Sequence, residues 1–337
     1  MKFLNIKLLI SIFLATIMLS CSGSSMPVKK PLDGSKRIAL LVGVEDYAGS
    51  SNDLIGIDKD ISKMKDLCLS WGFKVNVLQN SLNLKNTLAY YARTLNNNDI
   101  FIIYYSGHGT SIIDRNGDES DGRDEALVLS NSKTNQYLID DTFNIYLNRI
   151  TARKLIIIDS CHSGTIYKSF TLANIDPINT SIKSIHLSTN NFANIKVEAV
   201  EVKKKNIFKR MWEISKEKLK NAQYEKMKRD SMVKFINPAY LNKDYSRADD
   251  EYRPTVRSPK LSGEFIFFGA TQDNEKSIAT RGGSIFTKSF VSNIDTSKNI
   301  DSIYKDIAND INGFQPSLKT SHNLLKNMTM NNYLKMR

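Results

Sequence analysis

Apolar positions cluster along this chain in two kinds of block. Apolar-rich runs occur at RIALLVGVEDY (37–47), FKVNVL (73–78), DIFIIYY (99–105), KLIIID (154–159) and GEFIFFGAT (263–271). Short runs bounded by turn residues predict strands, and strands that are apolar throughout suit a sheet covered on both faces. Between them the period changes. DLIGIDKDISKMKDLCLSWGF (53–73) sets Ile57, Ile61, Met64, Leu67 and Cys68 at helical spacing and ends near Gly72. SLNLKNTLAYYARTL (81–95), DDTFNIYLNRI (140–150) and stretches near 284–294 and 298–313 read as further helices, and EALVLS as a hairpin-like excursion. Strands alternating with helices predict an α/β fold: a mostly parallel sheet flanked by helices on both faces. In such sheets function gathers at the carboxyl ends of the strands.

Two of the predicted strands end on reactive side chains. DIFIIYYSGHGTS (99–111) runs into His108, and KLIIIDSCHSGT (154–165) runs into Cys161. If the two strands are parallel neighbours, these ends meet. A cysteine is a useful nucleophile at neutral pH when a nearby histidine favours its thiolate. His162 follows Cys161 directly, and successive side chains leaving a strand point to opposite faces. His186 and His322 stand in no special context, which leaves His108. Gly109 and Gly164 leave room for a substrate backbone, and amides beside the nucleophile can face an oxyanion.

YYSGHG (104–109) with IIIDSCHSG (156–164) resembles the metacaspase branch of the caspase-like cysteine peptidases. The separation of about fifty residues between histidine and cysteine fits that family. DLIGIDKDISKM resembles its helix after the first strand, and RNGDESDGRDEALVL its acidic segment between histidine and cysteine. GEFIFFGAT and GGSIFTKSF resemble its closing strand and helix. The similarity runs from about Lys36 to about Phe314 and implies a single caspase-like domain, with Cys161 as nucleophile and His108 as base and then acid. It also implies that the amides of Gly109 and Cys161 hold the oxyanion, and that Asp159, Ser106 and Asp60 line the pocket for the residue before the cut. No third triad residue is evident.

Where the caspase signature carries glutamine two places before the cysteine, this chain has Asp159, a fixed anion that opposes an acidic side chain and attracts Lys or Arg. Lys59, next to Asp60, is expected to offset part of that charge. The implied activity is a cysteine endopeptidase cutting protein or peptide substrates after Lys or Arg, with a catalytically weak or inactive caspase-like binding or scaffold module on the cell envelope as the alternative. No cofactor is required. Calcium enters through the resemblance: Asp124, Asp140 and Asp141 match part of the set that calcium-responsive metacaspases use, but Lys168 stands where a further aspartate belongs. Asp140 and Asp141 also open a predicted helix, where carboxylates cap free amides.

The N-terminus and the charge add localisation. Lys2 and Lys7 precede a charge-free apolar run from Leu8 to Leu19, too short to span a bilayer comfortably, and Ser20-Cys21 is followed by SGSS. Residues 1–20 read as a signal peptide, Cys21 as a lipidation site similar to a bacterial lipobox, and 21–36 as a tether to the domain at 37–335. The expected place is the cell envelope, held to the membrane by N-terminal lipid, with no nucleic-acid partner. The net charge of +12 is concentrated in an insertion from about 171 to 260, where Lys196 to Asp230 holds twelve Lys or Arg against six acids. That stretch is expected to lie outside the core and to be cut by the enzyme itself. Cys68, at helical apolar spacing, is expected to be a buried small hydrophobe.

Overall fold

The structure, a computed structural model, describes residues 34–49, 52–114, 123–161, 231–234, 261–272, 277–311 and 314–335. The signal, tether and most of the insertion, including 196–230, fall outside the described residues.

The chain begins with β1 (Arg37–Gly43), α1 (Ile57–Ser70), β2 (Lys74–Gln79), α2 (Leu84–Thr94) and β3 (Ile100–Ser106). β1 pairs in parallel with β2 on one side and with β3 on the other. The two crossovers therefore travel in opposite directions, and their common right-handed sense puts α1 and α2 on opposite faces. An antiparallel meander follows, β4 (Gly109–Ile113), β5 (Arg123–Ser130) and β6 (Asn135–Ile139), then α3 (Asp140–Arg149) and β7 (Arg153–Asp159). After it come β8 (Ser231–Val233), β9 (Phe265–Gly269), β10 (Ile278–Thr280), α4 (Ile285–Asn293), α5 (Ile300–Asp310), β11 (Ser317–Thr320) and α6 (Met330–Tyr333).

The main sheet has the order β11-β9-β7-β3-β1-β2, parallel except for β11. Its central strands explain the continuous apolar runs: β3 is buried at every residue, and β7 at all but its first. The edge strand β2 instead exposes Lys74, Asn76 and Gln79, polar residues that discourage pairing with another chain. α1 packs with α4, and α4 with α5, while α2 packs with α3, so each face has its own helical layer.

The sequence did not signal β11, β8 or β10, each four residues or shorter. Strands that short carry too little pattern to be recognised by period.

Candidate active site

β3 and β7 are adjacent and parallel, with Ser106 opposite Asp159 in the last matched pair. His108 and Cys161 each stand two residues beyond that pair, so the register delivers both to one edge of the sheet. The backbone closes tightly here. A Cβ built on Gly109 would lie 2.2 Å from the Cys161 carbonyl oxygen, so only glycine fits beside Cys161.

His108 is held through its backbone by two tyrosines. Its N–H donates to the Tyr47 hydroxyl at 2.8 Å, and its carbonyl accepts from the Tyr105 hydroxyl at 2.7 Å. The Tyr47 ring also lies 4.6 Å from the imidazole, centroid to centroid. Nε2 lies 2.8 Å from the Asn52 carbonyl oxygen. A carbonyl only accepts, so this contact puts the proton on Nε2 and leaves a lone pair on Nδ1. Nδ1 is buried and makes no hydrogen bond among the described residues. Burial pushes the imidazole pKa down to about 4, with the Asn52 and Lys234 carbonyls pulling the other way. His108 is therefore neutral at neutral pH, the form a general base needs. The Asn52 carbonyl is a partner of His108 that sequence reading did not find, because a backbone oxygen in a loop leaves no side-chain signature.

The Cys161 sulfur is buried and accepts a hydrogen bond from the Ser277 N–H at 3.2 Å, an interaction that favours a thiolate. Cys68, by contrast, lies on the packed face of α1, and burial pushes its thiol up to about 12.

Beside the pair is a charged corner. Asp159 accepts from the Ser277 hydroxyl at 2.7 Å through one carboxylate oxygen and from the Thr287 hydroxyl at 2.5 Å through the other. Asp60, in the first turn of α1, accepts from the Ser106 hydroxyl at 2.9 Å and from the Ser284 N–H at 2.7 Å. The turn that brings Ser284 there needs Gly283, whose φ is +101° and whose Cβ would meet an Asp60 carboxylate oxygen at 2.5 Å. Asp60, Ser106 and Asp159 are fully buried and come together as expected. Lys59 does not take part: its ammonium pairs with Asp58 at 2.9 Å on the exposed side of α1, so the pocket keeps its negative charge.

What fills the corner is a lysine from the insertion. The Lys234 ammonium sits 2.9 Å from an Asp159 carboxylate oxygen, 2.7 Å from the Ser106 hydroxyl, 3.2 Å from the Asp159 carbonyl and 3.6 Å from Asp60. Burial raises the Asp60 carboxyl pKa, the Lys234 ammonium opposes this, and the Asp159 charge adds to the rise. The expected oxyanion donor is also engaged: the Gly109 N–H donates to the Lys234 carbonyl at 2.9 Å. Part of a segment read as peripheral thus lies in the centre of the cleft. Lys234, Ser277, Ser284 and Thr287 were missed because lysines, serines and threonines are everywhere in this chain and none of these sits in a motif.

The acids matched to calcium lie elsewhere. Asp124 is buried on β5, and Asp140 and Asp141 are buried in the first turn of α3. Among the described residues no three His, Cys, Asp or Glu gather into a group able to hold a metal ion. His162, Gly164, Lys168 and Cys21 lie outside the described residues.

The family model described as the caspase domain matches residues 36–332. Metacaspase-3 of Arabidopsis thaliana is 32% identical over 161 residues, 42% of this chain and 42% of that protein. Metacaspase-1 of Scheffersomyces stipitis is 30% identical over 147 residues, 39% of this chain and 36% of that protein. The chain spans about two fifths of the length of these curated relatives. Among solved structures, protein GSU0716 from Geobacter sulfurreducens has the same fold, with a TM-score of 0.58 and 19% identity over 87% of this chain and 97% of that one. The matched stretch takes in the strand ends bearing His108 and Cys161 and the whole charged corner; the chain belongs to the caspase-domain family and is similar to metacaspases.

Proposed function

We propose that the protein is a cysteine endopeptidase that cleaves polypeptides after Lys or Arg. The observation that carries this reading is Lys234: a lysine whose side chain is held by two buried carboxylates and whose carbonyl rests on the Gly109 amide, at the edge bearing Cys161 and His108. Nδ1 of His108 takes the proton from the Cys161 thiol, and the sulfur attacks the carbonyl carbon of the residue in the pocket. Charge developing on the carbonyl oxygen is met by the Gly109 N–H, with the Cys161 amide as its partner by family likeness. His108 then protonates the leaving amine, and water hydrolyses the thioester. Asp159 is the main anchor for the cation, because the ammonium lies closer to it than to Asp60. Ser106, Ser277 and Thr287 hold the two carboxylates in place.

The wider setting belongs to the same proposal. The chain is exported, acylated at Cys21 and displayed at the envelope, and Asp124, Asp140 and Asp141 are its candidate calcium ligands.

The test is a fluorogenic peptide panel with Lys, Arg, Asp and Leu before the cut, run under reducing conditions on wild type and Cys161→Ala. Hydrolysis of the Lys and Arg peptides alone, lost in Cys161→Ala, is the expected result. Preference for Asp would overturn the specificity, and equal rates in both proteins would overturn the enzyme.

A further inference from the structure

The turn that closes the charged corner carries opposite charges on its two sides. On the inner side Gly283 packs on Asp60, so that a Cβ there would lie 2.5 Å from a carboxylate oxygen. On the outer side two lysines converge from different helices. Lys63 of α1 donates to the Gly282 carbonyl at 2.9 Å, and a Cβ on Gly283 would lie 3.3 Å from its ammonium. Lys288 of α4 donates to the Thr280 hydroxyl at 3.0 Å, and a Cβ on Gly282 would lie 3.0 Å from its ammonium. Arg281, in the same turn, is exposed.

Both lysines are partly exposed, and among the described residues neither forms a salt bridge. Their acceptors are a carbonyl and a hydroxyl, which satisfy one donor of each ammonium and leave its charge unneutralised. Burial lowers the Lys288 ammonium pKa, the Lys63 charge adds to the fall, and Asp60 opposes it. Bracing a turn requires hydrogen bonds, not two like charges brought together, and an anion beside them would relieve the repulsion.

The register of β10 shows what reaches this place. β8 pairs antiparallel with β10, with Val233 opposite Ile278, Met232 opposite Ala279 and Ser231 opposite Thr280, and just beyond it the Lys234 N–H donates to the Ser277 carbonyl at 2.9 Å. A peptide bound along the same edge, with its Lys or Arg in the place of Lys234, therefore sets the residue three before it opposite Thr280. Directly opposed side chains share a face of the sheet, with Cβ atoms about 4.5–5.5 Å apart. Thr280 is the residue whose hydroxyl meets Lys288, while Ala279, opposite the next residue of the peptide, faces the other way.

We infer that Lys63 and Lys288 form a second specificity site, which selects an acidic side chain three residues before the Lys or Arg at the cut. The inference rests on the endopeptidase reading above and extends it. One turn then reads two charges of opposite sign: its inner side, through Asp60, helps to hold the cation next to the scissile bond, and its outer side holds the anion. The preferred substrate has its acid and its base on either side of two residues that carry no charge requirement.

The experiment measures kcat/KM of the full chain, under reducing conditions, for acetylated Xaa-Ala-Ala-Lys fluorogenic peptides with Glu, Gln or Lys as the first residue, and for Ala-Glu-Ala-Lys. The Glu peptide should exceed the Gln peptide by about three- to tenfold, the range of one or two partly exposed ion pairs, with the Lys peptide slowest. The ratio should shrink as ionic strength rises from about 0.05 to 0.5 M. Lys288→Gln should bring Glu and Gln peptides close to equality, Lys63→Gln should reduce the ratio less, and Lys288→Glu should make the Lys peptide the fastest. Each ratio compares substrates on one protein, so a general loss of activity in a variant cancels. Wild type that cuts the Glu and Gln peptides equally overturns the inference and leaves the proposed function standing. The same holds for a preference seen with Ala-Glu-Ala-Lys instead, or for a ratio unchanged in both lysine variants. Wild type inert towards every Lys peptide overturns the two together.

Discussion

Two corners share the carboxyl edge of one sheet, and their bonding is opposite in kind. In the corner around Asp60 and Asp159, both oxygens of each carboxylate are engaged by hydroxyls, an amide or an ammonium. In the corner around His108 and Cys161, the backbone is fixed, Nδ1 accepts no hydrogen bond among the described residues, and the sulfur accepts from the Ser277 N–H. The difference suits the roles proposed for the two corners. A pocket that binds a cation works best with its charge already aimed, since reorganisation on binding costs affinity. A general base must exchange a proton within each turnover, and a committed Nδ1 lone pair could not. Burial acts on both corners with opposite outcomes. In the first it raises the Asp60 carboxyl pKa against the opposing Lys234 ammonium, and in the second it lowers the His108 imidazole pKa, so the imidazole is neutral.

The largest effect expected from breaking this arrangement comes from the corner around His108 and Cys161. Cys161→Ala should abolish peptide hydrolysis, and His108→Ala should slow it by about 10² to 10⁴-fold. His162→Ala should retain much of the activity. Equal losses in the His162 and His108 variants, both folded by circular dichroism, would move the base elsewhere.

Next is the saturated corner. Asp159→Asn removes the carboxylate nearest the ammonium, and losing one partner of a buried charge pair costs about 2–5 kcal/mol. The kcat/KM for Lys and Arg peptides should fall by at least about 30-fold, while Leu peptides change little. Asp60→Asn should fall less, because its carboxylate is farther from the cation. A reversed order would make Asp60 the anchor.

The contrast in protonation gives a third test. With the His108 pKa near 4 in the folded state and about 6.5 unfolded, the unfolded chain binds more protons between those values. This group's contribution to stability is therefore fully present above about pH 6.5 and lost as pH falls to about 4, up to roughly 3 kcal/mol. Urea denaturation of Cys161→Ala and of Cys161→Ala/His108→Gln should differ in pH dependence across that window, the variant without the imidazole being flatter. Identical curves would mean that His108 is not held neutral by burial.

The smallest effect concerns the tyrosines. Tyr47→Phe leaves the buried His108 N–H without its acceptor, at a cost of about 1–3 kcal/mol. The kcat should fall while KM for Lys peptides stays near wild type, because the pocket is untouched. A change in KM alone would assign Tyr47 to binding instead.

These corners also differ in how well the sequence announced them. The strand ends were legible because a parallel sheet imposes a physical rule: apolar runs buried on both faces must stop where the chain leaves the core, and DIFIIYY and KLIIID stop at SGHG and DSCHSG. Asp60, Ser106 and Asp159 came from family likeness, and their meeting depends on β1, β3 and β7 lying side by side. The groups that complete the corners were not legible. The Asn52 carbonyl and the Gly109 and Ser277 amides are backbone atoms, fixed by how loops close rather than by residue type. Lys234 stands among many basic residues in the insertion, and its place follows from the edge of β10, a strand three residues long.

The central claim is that one bound side chain couples the two corners: a cation held by Asp159 and Asp60 presents its carbonyl to Cys161. Covalent trapping reads both halves at once. The full chain is treated with peptidyl ketones bearing a reactive leaving group and Lys, Leu or Asp in the pocket position, and labelled sites are mapped by mass spectrometry. The account predicts rapid modification of Cys161 by the Lys reagent, none at Cys68, and loss of the Lys advantage over Leu in Asp159→Asn. Faster labelling by the Asp reagent, or equal labelling of Cys161 by all three, would contradict it.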